Sequence, residues 1–349
     1  METKVIAIDH KMIDEEVLEQ AGLIIKKGGL VAFPTETVYG LGGDALNKES
    51  SRKIYEAKGR PSDNPLIIHI CSMDDLKTIV EEIPEEVYRL AEAFWPGPLT
   101  MIMKKSALVP KETTGGLDTV AVRMPSHPVA QKFIEYAGGY VAAPSANVSG
   151  RPSPTKAKYV IEDMTGRIDM ILDGDGIDIG LESTIVDMTG EKPMILRPGY
   201  ITLDMLEKVL GEVDVDKTIL DMNCKEPPKA PGMRYRHYAP KGQLTIVEGQ
   251  TDKTIEKINE LTGEARLRGE KVGIIGTEET KDKYLGDSIK SVGKREDEES
   301  IARTLYTILR EFDDEDITVI YSESFSECGM GQAIMNRLLK AAGHHMIYV

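Results

Sequence analysis

The chain has 349 residues, of which 41% are hydrophobic and 29% are charged, and its formal net charge is −15. This length and balance predict two or three globular domains, and so acidic a chain disfavours tight, non-specific binding of RNA or DNA. Cys71, Cys224 and Cys328 lack the C-x-x-C spacing of a thiolate zinc site or redox pair, although one disulfide stays open. The polar N-terminus and the lack of an apolar run of about 18 residues lead us to expect a cytoplasmic protein that does not enter membranes.

Residues 1–210 alternate helical and strand patterns and predict one large α/β domain. Apolar periodicity predicts helices over 15–27, 50–57, 85–94 and 129–136. Short apolar runs predict strands over 30–33, 65–70, 99–103, 119–122 and 140–143. The first and last of these strands are each followed by a polar turn. Binding residues often lie in such turns, directly after the carboxyl end of a strand.

Residues 211–243 are rich in proline, glycine, basic residues and tyrosine, and we interpret them as an ordered linker. The run from Arg234 to Tyr238 is dense in aromatic and basic groups for a simple spacer. Residues 244–349 predict a smaller, Rossmann-like α/β domain with a mainly parallel sheet. The elements that indicate it are predicted strands over 244–247, 272–275 and 317–321 and a predicted helix over 300–312.

The stretch FPTETVYGLGGDA, residues 33–45, places Thr35, Glu36 and Thr37 directly after a predicted buried strand. A surface turn is one interpretation, because proline and glycine flank the polar residues. A binding loop at the end of a strand is the other. The stretch by itself leaves both open.

A second stretch, AKGRPSDNPLIIHI at residues 57–70, places Lys58 and Arg60 close to Ser62 and Asn64, between a predicted helix and a strand. Two cations beside small hydrogen-bonding groups suit a polyphosphate, and a solvated loop is the alternative. His69 lies within the apolar strand, where either a structural histidine or a ligand-binding one would fit.

Later stretches carry further polar groups at predicted strand ends. Each allows ordinary turn chemistry or an anion contact when considered alone. The residues concerned are Arg123 in VAVRMPSHP, Ser145, Asn147, Ser149 and Ser153 in APSANVSGRPSPT, Ser183 and Thr184 in ESTIV, and Arg197 in LRPG.

The segment GMGQAIMNRLLKAAG, residues 329–343, puts two glycines before a helical pattern. It lacks the third glycine and the acidic partner of a dinucleotide-binding fingerprint, so we favour a structural turn over an anion site. Walker A, G-x-S-x-G and H-E-x-x-H patterns are absent from the sequence.

Taken in order, the motifs FPTETVYGLG, KxRPxxNPL, FWPGPLT, VAVRMPSHP, APSANxSGRPSPT, ESTIV and LRPG resemble the YrdC family, the threonylcarbamoyl-AMP synthases. APGMRYRHYAP and GMGQAIMNRLLKAA extend the resemblance to the long, two-domain form. The resemblance implies a twisted open-sheet domain with a large concave cavity. It also implies an L-threonylcarbamoyladenylate synthase, a nucleotidyltransferase that joins L-threonine, bicarbonate and ATP, with Mg²⁺ accompanying the ATP and pyrophosphate released. The product would pass to the downstream tRNA threonylcarbamoyl-transferase machinery.

The resemblance also assigns roles to particular residues, and it implies no metal-ligating side chains. Lys58 and Arg60 would neutralise phosphate charge during the reaction. The threonine or its carbamate would contact Thr35, His69, Arg123, Ala143 and Ser183. The ATP would contact Lys58, Ser62, Thr119, Ser145, Asn147, Ser153, Arg197 and Tyr235. In the long form, residues 222–242 would act as a lid over the site.

The sequence disfavours two alternative functions. A carbamoyl-adenylating module of the hydrogenase-maturation type would carry zinc-finger cysteine pairs, which this sequence lacks. A module that binds double-stranded RNA would need a basic cavity, and the net charge of −15 disfavours that as the main role.

Overall fold

The computed structural model describes residues 2–174, 176–219 and 237–349. The described residues fall into two compact units. The first contains 2–149, 153–174, 176–178 and 182–219, and the second contains 150–152, 179–181 and 237–349. Each unit has its own sheet. The domain boundaries at 210 and 243 that the sequence suggested stay predictions.

The described residues of the first unit form an eleven-stranded mixed sheet. Its strands are β1 Lys4–Ile8, β2 Val31–Phe33, β3 Gly40–Asp44, β4 Ile67–His69, β5 Leu99–Lys104, β6 Thr119–Arg123, β7 Val141–Ala142, β8 Met170–Gly174, β9 Thr184–Asp187, β10 Met194–Arg197 and β11 Asp214–Val215. The order across the sheet is β1-β8-β2-β3-β7-β4-β6-β5-β9-β10-β11. Parallel pairs such as β4–β6 and antiparallel pairs such as β5–β6 both occur, so the expected open α/β sheet is confirmed.

Four helices described in this unit, those that begin at Glu15, Lys48, Glu85 and Pro128, lie close to predicted positions, and the other three were not predicted. The helices are α1 Glu15–Lys26, α2 Lys48–Lys58, α3 Met73–Ile79, α4 Glu85–Phe94, α5 Pro128–Ala137, α6 Ala157–Met164 and α7 Leu203–Leu210, with a 3₁₀ turn at Lys217–Ile219. The α2 helix is longer than predicted because the Asn47 side chain accepts from the backbone N–H of Glu49 and caps its start. It ends at Gly59, whose φ of 60° suits a glycine. Lys58 is therefore the last residue of a helix, and our expectation that it lies in a loop was wrong.

The two faces of the central strands have different roles. On β6, Val120 and Val122 point into the main hydrophobic core, while Ala121 belongs to a smaller apolar cluster. Side chains alternate across a strand, so Arg123 lies on the same face as Ala121. Members of the small cluster also come from β4, β5, β9 and β10. They are Ile67, Ile102, Ala121, Ile185 and Leu196. We call this side of the sheet the site face, because the candidate site is built on it.

The second unit has a five-stranded, fully parallel sheet within the described residues, as expected for residues 244–349. Its elements are β12 Gln243–Glu248, α8 Thr251–Leu267, β13 Val272–Gly276, a 3₁₀ turn at Lys281–Lys283, β14 Ser288–Ser291, α9 Glu298–Asp314, β15 Val319–Glu323, α10 Gly331–Ala341 and β16 Met346–Tyr348. The strand order is β14-β13-β15-β12-β16.

Two features of this unit explain motifs in the sequence. Gly331 begins α10 because a Cβ there would lie 2.4 Å from the carbonyl oxygen of Ser326, and its N–H donates to Glu298. The expected structural turn therefore has a packing reason. Tyr238, near the end of the predicted linker, is buried and stacks on Tyr306, with the Arg337 guanidinium 5.6 Å from its ring centre.

Two further observations concern the described residues only. None of their helices is both long enough and apolar enough to span a bilayer. Cys71 and Cys328 are free thiols, and Cys224 lies outside the described residues.

Candidate functional site

The loop after β2 is buried, so the surface-turn interpretation of PTETVYG was wrong. Thr35, Glu36 and Thr37 are at most 6% exposed. The Thr35 hydroxyl donates to the carbonyl oxygen of Val38 at 2.7 Å and accepts from the backbone N–H groups of Thr37 and Val38. It also lies 2.9 Å from the Thr37 hydroxyl. A polar loop held this firmly inside a protein is consistent with a binding site.

Arg123 lies at the carboxyl end of β6 and is 4% exposed. Its Nη1 donates to the Thr37 hydroxyl at 2.9 Å, and its Nε donates to the carbonyl oxygen of Gly97 at 3.3 Å. Its Nη2 lies 2.7 Å from Oε1 of Glu36, which makes a buried ion pair. The loop after β2 and the FWPGPLT turn therefore converge on one guanidinium.

His69 pairs with Arg123 in the parallel register between β4 and β6, so the two side chains are neighbours on the site face. Burial, and to a smaller extent the positive charge of Arg123, lower the pKa of His69 to about 3. The ring nitrogen Nδ1 lies 3.2 Å from the carbonyl oxygen of Ile67. His69 is therefore neutral at physiological pH and offers hydrogen bonding without charge.

On the other side of Arg123, the row continues through Thr100 to Ser183. Thr100 pairs with Arg123 between β5 and β6, and its hydroxyl lies 2.7 Å from that of Ser183. Arg197 donates from Nε to the Ser183 carbonyl at 3.0 Å and from Nη2 to the Ser183 hydroxyl at 3.1 Å. His69, Arg123, Thr100 and Ser183 thus form a polar row across four strands.

Gly199 explains why the ESTIV and LRPG motifs occur together. A Cβ at this position would lie 2.5 Å from the backbone nitrogen of Thr184 and 2.8 Å from the carbonyl oxygen of Glu182. Only glycine allows this approach of two backbones. The contact holds the segment that carries Ser183 against the segment that carries Arg197.

Lys58 is 1% exposed, and its ammonium group donates to the carbonyl oxygens of Ser145 and Asn147, each at 2.5 Å. The backbone of Ser149 donates in turn to the carbonyl oxygen of Lys58. The Ser145 hydroxyl donates to the Asn147 side-chain oxygen at 2.6 Å. Lys58 therefore fixes the loop that presents two predicted nucleotide-binding side chains.

Two other predicted residues, Ala143 and Ser153, flank this loop in the chain. Ala143 is buried, and its N–H donates to the carbonyl oxygen of Ile67 on the neighbouring β4. The Ser153 hydroxyl donates to the buried carboxylate of Glu182, directly before Ser183 in the chain. The predicted threonine and nucleotide groups are thereby linked through adjacent residues.

Arg60 and Ser62 lie in the turn between α2 and β4, and Thr119 lies at the opposite end of β6 from Arg123. Arg60 donates to the carbonyl oxygens of Asn64 and Pro65, at 3.1 Å and 3.0 Å, and Ser62 is exposed in the same turn. Thr119 begins β6, and a rise of about 3.3 Å per residue puts it about 13 Å from Arg123 along that strand. Tyr235, and all but the last six residues of the predicted lid, lie outside the described residues.

Sequence reasoning assigned no role to Glu36, Thr37, Thr100 and Glu182. Glu36 and Thr37 stand in a quoted motif, but nothing in the sequence says that they are buried. No group of three or more histidine, cysteine, aspartate or glutamate side chains suited to a metal ion occurs in the described parts of the chain. The functional roles given to individual residues stay predictions.

Two family models match the chain. Residues 23–199 match the Sua5/YciO/YrdC model, described as "Telomere recombination", and residues 201–343 match "Threonylcarbamoyl-AMP synthase, C-terminal domain". This chain belongs to the Sua5/YciO/YrdC family. Membership in its two-domain form, expected from the motifs, is confirmed.

Individual members of the family are similar to this chain over nearly its whole length. The threonylcarbamoyl-AMP synthase of Pyrococcus abyssi is 48% identical over 97% of this chain and 98% of its own. That of Bacillus subtilis is 47% identical over 97% of this chain and 96% of its own. The solved structure of P. abyssi Sua5 complexed with L-threonine has a TM-score of 0.94 at 47% identity, covering 99% of this chain and all of that one.

Proposed function

We propose that this chain is a threonylcarbamoyl-AMP synthase, which joins L-threonine, bicarbonate and ATP and releases pyrophosphate. The observation that carries the proposal is the 48% identity to the P. abyssi synthase over 97% of this chain. The polar row on the site face supports it, because the row offers a buried cation, a neutral imidazole and hydroxyl groups to one small polar substrate.

In this mechanism the threonine carboxylate binds the Arg123 guanidinium, whose planar set of donors matches a carboxylate. Thr35, His69, Ala143 and Ser183 surround the rest of the amino acid or its carbamate. The carbamate forms from the threonine amine and bicarbonate with loss of water, and one of its oxygens attacks the α-phosphorus of ATP and displaces pyrophosphate. The protein's contribution is to hold two mutually repelling anions in line.

The nucleotide is held by Ser62, Thr119, Ser145, Asn147, Ser153, Arg197 and Tyr235. Lys58 fixes the carbonyl oxygens of the 145–147 loop, and its buried charge also acts on the phosphates at short range. Arg60 adds a second cation as negative charge moves to the leaving pyrophosphate. The enzyme is then a nucleotidyltransferase that works by positioning and electrostatics, without a covalent intermediate on the protein.

Mg²⁺ enters this mechanism with ATP. The ion would take oxygen ligands and keep several waters, so the phosphate oxygens would supply most of its coordination. The described residues would offer the phosphates cations and hydroxyl groups, such as those of Lys58, Arg60 and Ser145. We place the reaction in the cytoplasm and assign its product to the enzymes that attach threonylcarbamoyl groups to tRNA.

The direct test is to incubate the protein with ATP, Mg²⁺, L-threonine and ¹³C-bicarbonate and to analyse the products by mass spectrometry. We expect an adenylate whose mass contains threonine, one labelled carbon and AMP. An Arg123→Gln variant should lose most of this product. If ATP is converted to AMP without any threonine-containing adenylate, the proposal is wrong.

A further inference from the structure

Glu36 is a buried carboxylate whose hydrogen-bonding capacity is not filled. The residue is 6% exposed, and neither of its carboxylate oxygens accepts a hydrogen bond from the described residues. Nη2 of Arg123 lies 2.7 Å from Oε1 of Glu36, but its N–H bonds are not aligned to donate to that oxygen. An ionised carboxylate has about four acceptor positions, so this group has several to offer.

Such an arrangement is costly unless donors arrive from elsewhere. A buried charge normally has both an ion-pair partner and hydrogen bonds, and an unfilled one lowers stability. The neighbouring hydroxyls do not provide them, because Thr35 donates to Val38 and the Thr37 hydroxyl donates to the Thr35 oxygen 2.9 Å away. A ligand with several N–H donors would fill these positions.

Arg123 has the complementary property. Two of its N–H groups donate to Gly97 and Thr37, while Nη2 donates to no described residue. The guanidinium has five N–H groups, so donors remain for a ligand that carries acceptors. The neutral His69 beside it adds no further charge.

A buried cation and a buried anion 2.7 Å apart match the two charges of an α-amino acid zwitterion. We propose that Glu36 binds the α-ammonium group of the amino-acid substrate while Arg123 binds its α-carboxylate, so that the pair selects α-amino acids. This inference rests on the proposed function for its substrate, L-threonine. It assigns to Glu36 the selection of the amino acid over acids that lack the ammonium group.

The alternative is that Glu36 only orients Arg123. The two roles differ in the ligands they affect. A residue that orients Arg123 matters equally for every carboxylate that binds there. A residue that binds the ammonium group matters only for ligands that have one.

The experiment measures the dissociation constants of L-threonine and of 2,3-dihydroxybutyrate of the same configuration, in which a hydroxyl replaces the ammonium group. Calorimetry on the full-length native protein should show threonine binding at least about tenfold more tightly. In Glu36→Gln, threonine affinity should fall by at least about tenfold, while dihydroxybutyrate affinity stays the same or rises, since Arg123 loses its anionic partner. Glu135→Gln, the same change at an exposed carboxylate, is the matched control and should alter neither constant.

Two results would overturn the inference. One is equal binding of the two ligands by the native protein, which needs no variant to be folded. The other is an equal loss of affinity for both ligands in Glu36→Gln, which would leave Glu36 as a residue that orients Arg123. Native protein that binds neither ligand would instead contradict the proposed function.

Discussion

Lys58 makes a sharp prediction, because a buried ammonium group here holds the backbone of a loop. In Lys58→Met the side chain keeps its length and apolar stem but loses both hydrogen bonds, to Ser145 and Asn147. Hydrogen bonds made by a charged group contribute about 1.5–3 kcal/mol each, so the gross loss is about 3–6 kcal/mol. Relief from burying a charge offsets part of this, and we expect a net loss of about 2–3 kcal/mol.

A loss of that size lowers the melting temperature of a unit of this length by about 4–12 °C. Differential scanning calorimetry measures it, with Lys53→Met as the matched control. Lys53 lies on the same helix, is exposed, and donates to a single carbonyl, that of Gly28. Substitutions at such exposed positions usually change stability by about 0.5 kcal/mol or less. Equal melting shifts in the two variants would refute the role given to the buried bonds.

The same two variants separate stability from catalysis. Below its melting temperature, Lys58→Met should release pyrophosphate roughly ten- to a thousandfold more slowly, the range for losing one charge stabiliser. Lys53→Met should be unaffected. If folded Lys58→Met protein released pyrophosphate at the native rate, Lys58 would have no role at the phosphates.

Three further predictions concern other residues of the site. Arg60→Ala should slow pyrophosphate release by roughly ten- to a thousandfold, whereas the exposed Arg52→Ala control should leave the rate unchanged; equal rates in both would exclude a phosphate role for Arg60. His69 has a folded pKa of about 3, below its ordinary 6.5, so the unfolded state binds the proton first and stability falls as the pH drops below 6.5. Between pH 7 and pH 5, the free energy of unfolding measured by urea titration should therefore fall by about 2 kcal/mol less in His69→Gln than in the native protein. An equal fall in both proteins would contradict the buried neutral ring. Gly199→Ala should lower the melting temperature and weaken threonine binding, because its Cβ would meet the backbone around Ser183 at 2.5–2.8 Å. An unchanged dissociation constant for threonine would show that this backbone contact does not shape the binding site.

Much of the fold could be predicted from local patterns. The α4 helix matches its predicted bounds because its apolar residues recur on one face and Pro96 and Pro98 follow its end. The strands with a predicted range were found as short apolar runs, with bounds that shift by one or two residues. The described strands β1, β3, β8, β11, β14 and β16 were not predicted. The α8 helix was missed because two of its buried residues, Thr254 and Thr262, are polar and blur the apolar stripe.

The site was predictable where a motif named the residue, and not where packing decides its role. Arg123 and Ser183 were singled out from quoted stretches, and the structure places them on one polar row. Glu36 also lies in one of these stretches, but its burial follows from the strand pairing of β2 and β3 and the position of Arg123. The prediction placed Lys58 in a loop because it did not recognise that the left-handed Gly59, directly after Lys58, ends α2.

The central claim is that this chain couples threonine and bicarbonate to the cleavage of ATP. Pyrophosphate release, followed in the complete reaction and in reactions that omit one component, tests it most directly. Pyrophosphate release should fall to background when either L-threonine or bicarbonate is left out, and it should return when that component is added back. Release that continues at the full rate without threonine would contradict the account and indicate a simple ATP pyrophosphatase.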